Sequence, residues 1–120
     1  MKSRVLVIED EFAAREALVS LLSEEGFVVR GAPNGRTGIA SFCEFHPDVV
    51  VCDYLLPDLN GLQVLRQIRA AGADTFRFIL LTSGVGDPEN EAALRVEADG
   101  FLGKPVDLAQ LQTALAPTAV

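Results

Sequence analysis

The hydrophobic pattern of the chain changes repeatedly between two periods. Short apolar runs, typical of strands that are buried on both faces, read RVLVIED, FVVRGA, DVVVCD, RFILLTSG and GFLGKP. After each run, apolar residues recur at the spacing of an amphipathic helix, as Leu18, Leu21 and Leu22 do after the first run. The pattern therefore predicts five strands alternating with five helices, which is typical of an α/β fold with a parallel sheet covered on both faces.

Residues that satisfy the free backbone groups of helix ends mark the predicted boundaries. Gly26 follows the first helical segment, where a glycine commonly ends a helix. Pro88 favours the first position of the fourth helix. Three other side chains can accept hydrogen bonds from the first N–H groups of a helix, namely Asn34, Asp87 and Asp107. These signals predict short connections between the strands and the helices.

Length and composition predict one domain over residues 1–120, with 117–120 as a frayed tail or a cut linker. The chain has 120 residues, of which 49% are hydrophobic, so it can form a single core. Its formal net charge is −7. Because nucleic acids and anionic membranes bind positively charged surfaces, this charge argues against both as direct partners.

The two cysteines and the start of the chain indicate a cytoplasmic protein. Cys43 and Cys52 lack the spacing of a metal site or a disulfide framework, and we interpret both as reduced core residues. The first residues, MKSRVLVIEDE, become acidic after an apolar run too short for a signal peptide. No apolar run approaches the length of a membrane span.

Polar side chains stand where four of the predicted strands end. Glu9 and Asp10 follow the first strand, Asp53 ends the third, Thr82 ends the fourth and Lys104 follows the fifth. The ends of parallel strands meet at one edge of a sheet, where open α/β folds bind ligands. If the first and third strands are neighbours, three carboxylates share one pocket. Each like-charged pair at about 4 Å then costs roughly 4 kcal/mol at an effective dielectric constant near 20.

Protonation, a cation of the protein or a bound metal ion would relieve this repulsion. Lys104, one of two lysines in the chain, is the candidate cation. Carboxylates together with a backbone carbonyl and water suit Mg²⁺, and the predicted pocket offers neither histidine nor cysteine to favour zinc. If a metal ion provides the relief, these ligands favour Mg²⁺ over zinc.

Four segments in this order resemble the receiver domain of two-component response regulators: VLVIEDE, DYLLPDLNGL, ILLTSG and DGFLGKP. The resemblance spans essentially the whole chain. It implies a flavodoxin-like, doubly wound fold with five parallel strands in the order 2-1-3-4-5. It also implies a phosphorylation-activated switch that accepts a phosphoryl group from a histidine kinase or a phosphotransfer protein, and then changes its surface for a downstream protein. Such a domain is a self-modifying phosphoacceptor and slow autophosphatase rather than a conventional enzyme.

The resemblance implies roles for the acids. Asp53 would be the phosphoacceptor. Asp10, Asp53 and the backbone carbonyl of Leu55 would hold Mg²⁺ directly, and Glu9 would act through a water molecule. Glu9 stands where the family more commonly has aspartate, which lengthens one arm of the acidic pair.

The remaining roles fall on residues after the fourth and fifth strands. Lys104 would bridge the acids and then a phosphoryl oxygen, with a cis bond to Pro105. Thr82 would move to bond the phosphoryl group, and Phe101 would swing inward behind it. Three residues are expected to flank the pocket, namely Leu55, Ser83 and Val85. Because Leu55 and Val85 are apolar and cannot orient an attacking water, we expect slow loss of the phosphoryl group.

Three other readings compete with this hypothesis. A degenerate receiver could serve only as a docking surface, although every reactive position is filled. A haloacid-dehalogenase-like phosphatase would need an aspartate two residues after the nucleophile, where this chain has Leu55. A flavodoxin-like cofactor site would need a phosphate loop after the first strand, where the acidic side chains would repel phosphate.

Overall fold

The computed structural model describes residues 3–73 and 75–116, in which strands and helices alternate. The elements are β1 (Arg4–Ile8), α1 (Phe12–Glu24), β2 (Val28–Ala32), α2 (Gly35–Phe45), β3 (Val49–Asp53), α3 (Gly61–Ala70), β4 (Arg77–Thr82), α4 (Pro88–Glu97), β5 (Gly100–Gly103) and α5 (Leu108–Leu115). All strand pairs are parallel, and their order is β2-β1-β3-β4-β5. The predicted fold class and strand order are confirmed. The predicted tail at 117–120 lies outside the described residues.

The sheet separates two apolar layers. Because successive side chains of a strand point to opposite faces, Leu6 and Ile8 join the layer under α2, α3 and α4, whereas Val5 and Val7 join the layer under α1 and α5. Every residue of β3 is buried, which explains its uninterrupted apolar sequence. The strands therefore form a rigid central support for whatever follows their ends.

Helix α2 corrects one prediction about the cysteines. Its buried face carries Gly35, Gly38 and Phe45, whereas Cys43 is exposed. The helical spacing places Cys43 beside this face rather than on it. Cys52 is buried, as predicted, and burial raises the pKa of its thiol well above the usual value.

Side chains cap the helices as the sequence indicates. Asn34 accepts a hydrogen bond from the Thr37 N–H at 2.8 Å. Asp87 and Asp107 each accept from two N–H groups in the first turn of α4 and α5, respectively. The starts of these helices, which define the loops around the sheet edge, are therefore fixed locally.

The start of α3 lies unusually close to the sheet. A Cβ added at Gly61 would lie 2.6 Å from Leu80 Cδ1 and 3.2 Å from the backbone oxygen of Asp53. Only glycine allows this approach. The Gly61 N–H donates to the Tyr54 carbonyl at 2.8 Å, so α3 is joined to the residue that follows Asp53.

Backbone hydrogen bonds extend the sheet beyond the strand ends. The N–H groups of Glu9, Tyr54 and Lys104 donate to carbonyls of neighbouring strands at 3.0, 2.9 and 2.9 Å. The backbone on which the predicted site residues stand is thus held by the sheet. Among the described residues, no helix combines the length and the apolar character needed to cross a membrane.

Candidate functional site

A cleft of about 250 Å³ opens at the carboxyl edge of the sheet. Four loops contribute to it, those that follow β1, β3, β4 and β5. Its wall contains most of the predicted site residues, namely Glu9, Asp10, Asp53, Leu55, Thr82, Ser83 and Lys104, together with Glu11. The structure thus gathers side chains that are up to 95 positions apart in the sequence.

Lys104 bridges two of the acids. Its ammonium lies 2.8 Å from Asp53 Oδ2 and 3.0 Å from Glu9 Oε2. Burial acts to lower the pKa of Lys104, but hydrogen bonds and charge from both carboxylates raise it above the usual value. Lys104 is therefore the cation that partly neutralises the cluster, and the Lys104–Pro105 peptide is cis, as expected.

Protein donors reach both oxygens of the Glu9 carboxylate. Its side chain is only 2% exposed, and its Oε1 accepts from the Glu11 N–H at 3.1 Å while Oε2 accepts from Lys104. Burial acts to raise the pKa of Glu9, but these donors and the lysine charge hold it below the usual value. Glu9 is therefore anionic and firmly placed.

Asp53 is under electrostatic strain. It is 6% exposed. Burial and the negative charge of Glu9 raise the pKa of Asp53 to about 6, although Lys104 works against this shift. Without a further cation, the Asp53 carboxylate therefore gains and loses its proton near neutral pH.

Asp10 completes the acidic cluster from an exposed position. One carboxylate oxygen each from Glu9, Asp10 and Asp53 can be chosen so that all three lie within 4.8 Å of one another. Receiver domains bind Mg²⁺ at such an acidic pocket, and an all-oxygen donor set is what this ion prefers. The residues present therefore fit Mg²⁺.

The loop between β3 and α3 is held at several points. Leu55, 66% exposed at the cleft, pairs with Asn60 in an isolated β-bridge. Asn60 and Gln63 form a reciprocal capping box at the start of α3. Asp58 accepts from the Gly35 and Arg36 N–H groups at 2.8 Å each, which ties the loop to α2.

The loop between β4 and α4 is built differently. Thr82 Oγ1 accepts from the Gly84 N–H at 2.9 Å, so the hydroxyl proton of Thr82 is still available to another acceptor. Gly84 and Gly86 have φ values of 146° and 80°. Ser83 is exposed and lines the cleft.

Val85 does not occupy its predicted place. It stands three residues after Thr82, is 9% exposed and packs into the core layer that includes Leu94. The wall on this side is formed by Thr82 and Ser83 instead.

Phe101 lies on β5, outside the cleft. Its ring is half-buried, and the Arg95 guanidinium carbon lies 4.2 Å from the ring centroid. This distance is within the range of a cation–π interaction. Phe101 therefore contacts α4 in this structure.

Two contacts between distant segments have no simple signal in the sequence. The Asn90 side-chain amide donates to the Tyr54 hydroxyl at 3.0 Å. Arg66 forms a bidentate ion pair with Glu97. The sequence distances in these pairs are 36 and 31 residues, so helical spacing alone cannot reveal them.

Arg15 is a further residue that sequence reasoning did not identify. It lies on α1 and donates through Nη1 to the Glu9 carbonyl oxygen at 2.8 Å. Its position six residues after Glu9 becomes meaningful only when the turn between β1 and α1 is known.

Known proteins that are similar to this chain in sequence or structure belong to one family. Residues 5–116 match the family model described as "Response regulator receiver domain". The response regulator MprA of Mycolicibacterium vanbaalenii is 39% identical over 111 residues, which are 92% of this chain and 48% of that protein. The chain thus spans about half the length of the curated relatives it matches.

Solved structures agree. A receiver domain protein of Clostridium thermocellum is 33% identical, with a TM-score of 0.84 over 93% of this chain and 90% of that one. The chemotaxis protein CheY4 of Vibrio cholerae has a TM-score of 0.87 over 96% and 97% of the two chains, and at 24% identity it supports the fold alone. The chain belongs to the response regulator receiver domain family of two-component systems.

Proposed function

We propose that the chain is a phosphorylation-dependent switch in which Asp53 accepts the phosphoryl group with the help of Mg²⁺. Receiver domains of response regulators accept phosphate from histidine kinases. The observation that carries the proposal for this chain is the ion bridge of Lys104 to both Asp53 and Glu9, beside the exposed carboxylate of Asp10. A cluster of this kind has a defined nucleophile, a fixed cation and room for a second one.

The geometry of the cluster supports attack by Asp53 on a phosphohistidine. An Asp53 oxygen forms the new O–P bond as the N–P bond breaks, and the imidazole nitrogen receives the electron pair and then a proton. This reaction brings two anions together, so placement and neutralisation of charge provide most of the catalysis. Lys104 supplies one fixed positive charge beside Asp53.

We assign Mg²⁺ to Asp10, Asp53 and the backbone carbonyl of Leu55, with Glu9 acting through water. When bound, the ion would neutralise negative charge on Asp53 and on the phosphoryl oxygens. Since both Glu9 oxygens already accept hydrogen bonds from protein groups, an indirect role for Glu9 is the one that fits.

The response to phosphorylation is assigned to Thr82. Its hydroxyl can keep the hydrogen bond from Gly84 and still donate to a phosphoryl oxygen. A charge-assisted hydrogen bond contributes about 1.5–3 kcal/mol, which is enough to shift a two-state equilibrium by roughly one to two orders of magnitude. We assign the later inward movement to Phe101 and a downstream protein as the reader of the changed surface.

Incubation with acetyl phosphate tests the proposal. In the presence of Mg²⁺, intact mass spectrometry should show one phosphoryl adduct on the wild type and none on Asp53→Asn. Omission of Mg²⁺ should slow the reaction strongly, and Asp48→Asn serves as a control on a carboxylate outside the cleft. An adduct that persists in Asp53→Asn would contradict the assignment. A wild type with no adduct would favour a receiver that acts only as a docking surface.

The cleft also supports a slow loss of the phosphoryl group. Leu55 offers no polar atom from its side chain at the cleft, and Val85 is apolar and buried in the core. We therefore expect the adduct to last longer in the wild type than in Leu55→Asn, whose amide could orient a water molecule. Equal half-lives of the two adducts, followed by mass spectrometry after removal of acetyl phosphate, would refute this expectation.

A further inference from the structure

Arg15 contacts the backbone of the acidic pair, Glu9 and Asp10, at the end of β1. The guanidinium donates to the Glu9 carbonyl oxygen at 2.8 Å. This oxygen belongs to the peptide that links Glu9 to Asp10, so the bond fixes the plane from which the Asp10 side chain leaves the backbone. Asp10 itself is exposed, and packing does little to orient it.

The position of Arg15 is defined on two sides. Its guanidinium carbon lies 5.4 Å from the ring centroid of Phe12, within cation–π range. Its methylene groups cross Gly31 of β2, where an added Cβ would lie 3.1 Å from Arg15 Cδ and 3.2 Å from Cγ. The lack of a side chain at Gly31 therefore leaves the space that the stem of Arg15 occupies.

We propose that Arg15 is a positioning residue for the magnesium site, because it holds the Glu9–Asp10 peptide in the orientation that aims Asp10 into the cleft. The inference rests on the proposed function, since it concerns the same metal site. Groups that orient metal ligands typically change metal affinity by tenfold or more when they are removed. Arg15 acts through the backbone, and it does not itself contact the ion.

Charge and position predict opposite effects for the loss of Arg15. As a cation near the cluster, Arg15 repels Mg²⁺, so electrostatics alone predicts tighter binding when its charge is removed. If Arg15 positions Asp10, its removal weakens binding instead. The direction of the change in affinity therefore distinguishes the two roles.

Titration with Mg²⁺ alone, followed by amide NMR shifts or by the fluorescence of Tyr54, the only tyrosine in the chain, measures this affinity. We expect Arg15→Met to bind Mg²⁺ about tenfold more weakly than the wild type. Arg15→Lys keeps a charge and a donor and should recover most of the affinity. Arg69→Met, in the last turn of α3 and outside the cleft, makes the same change in charge and should leave the affinity unchanged.

Gly31→Ala gives a second, independent test. Its new methyl group would push the stem of Arg15 aside by a few tenths of an ångström without a change in charge, so we expect a smaller loss of Mg²⁺ affinity in the same direction. This variant also decides the matter if Arg15→Met does not fold. Unchanged or tighter binding in Arg15→Met, or unchanged binding in Gly31→Ala, would overturn the role of Arg15. A wild type that binds no Mg²⁺, judged beside Asp10→Asn as the ligand-deficient reference, would instead overturn the proposed metal site.

Discussion

Strands β3 and β4 are neighbours that both end at the cleft, but the helices that follow them are held in different ways. We call β3, α3 and their connecting loop the β3–α3 arm, and β4, α4 and their loop the β4–α4 arm. The β3–α3 arm carries Asp53 and is fixed by apolar packing. Helix α3 buries five residues, namely Gly61, Leu62, Val64, Leu65 and Ile68. The β4–α4 arm carries Thr82, and α4 buries only Leu94.

Polar contacts take the place of packing in the β4–α4 arm. Asn90 near the start of α4 bonds the Tyr54 hydroxyl, and Glu97 at its end bonds Arg66. Two glycines with positive φ flank Val85 in the connecting loop, and Val85 anchors that loop in the core. Each net hydrogen bond contributes about 0.5–1.5 kcal/mol, which is less than the roughly 1.5–3 kcal/mol that a charge-assisted bond between Thr82 and a phosphoryl group could provide.

The difference between the two arms matches two different requirements of a switch. A nucleophile must keep its place, because small displacements slow a reaction that depends on alignment. A responding element must instead move when a modest free energy becomes available. The β3–α3 arm suits the first role and the β4–α4 arm suits the second.

Truncation of the α3 core should have the largest effect. Leu65 is fully buried, so Leu65→Ala should lower the free energy of unfolding by about 2–5 kcal/mol through lost burial and a cavity. Val96 on α4 is 85% exposed, and Val96→Ala should change it by less than about 0.5 kcal/mol. Urea denaturation measures both. A loss below about 1 kcal/mol in Leu65→Ala would mean that α3 is not the rigid arm.

Much of the fold and of the candidate site could be predicted from the sequence, but the difference between the two arms could not. Hydrophobic period and caps predicted the ten elements, and the strand ends predicted which reactive side chains meet. The sequence did not predict that α3 is held by apolar packing and α4 by polar contacts, because Asn90 and Glu97 are polar residues whose partners come from distant segments. Cys43 and Val85 were misplaced for the opposite reason, since an apolar residue near a helix face or a loop does not reveal which way it points.

Asp53→Asn should stabilise the metal-free protein at neutral pH. The raised pKa of Asp53, about 6 against an ordinary 3.8, means that its ionised form costs the folded state up to about 3 kcal/mol above pH 6. As the pH falls from 6 to about 4, the folded protein binds the proton and the cost disappears. The stabilising effect of Asp53→Asn should therefore be about 1–3 kcal/mol at pH 7.5 and near zero at pH 4.

Urea denaturation at both pH values, in the presence of a chelator, checks this expectation. Glu24→Gln changes the net charge equally at an exposed position of α1 and should show no such dependence. A variant that is equally stabilised at both pH values, or destabilised at pH 7.5, would mean that the rigid arm does not hold Asp53 in a strained place.

Tyr54→Phe should loosen α4 more than α3. The variant removes the acceptor of the Asn90 amide and should lower the free energy of unfolding by about 1 kcal/mol. Amide hydrogen exchange should accelerate in the first turns of α4 and stay nearly constant in α3. A double-mutant cycle with Asn90→Ala isolates the pair. Equal acceleration in both helices would remove the distinction between the arms.

The ion pair at the end of α4 should have the smallest effect. Glu97 Oε2 lies 2.7 Å from Arg66 Nη2, but Arg66 is largely exposed, and water and salt screen such a pair. We expect Glu97→Gln to leave global unfolding unchanged while amide exchange accelerates in the last turn of α4. Hydrogen bonds and charge from Arg66 lower the pKa of Glu97 below the usual value. The difference in amide exchange between wild type and Glu97→Gln should therefore be present at neutral pH and vanish as the pH falls through that lowered pKa. Glu91→Gln, which breaks the pair with Arg95 within α4, controls for loss of charge on the same helix. If it accelerates exchange in the last turn as much as Glu97→Gln does, the link to α3 does not hold the end of α4.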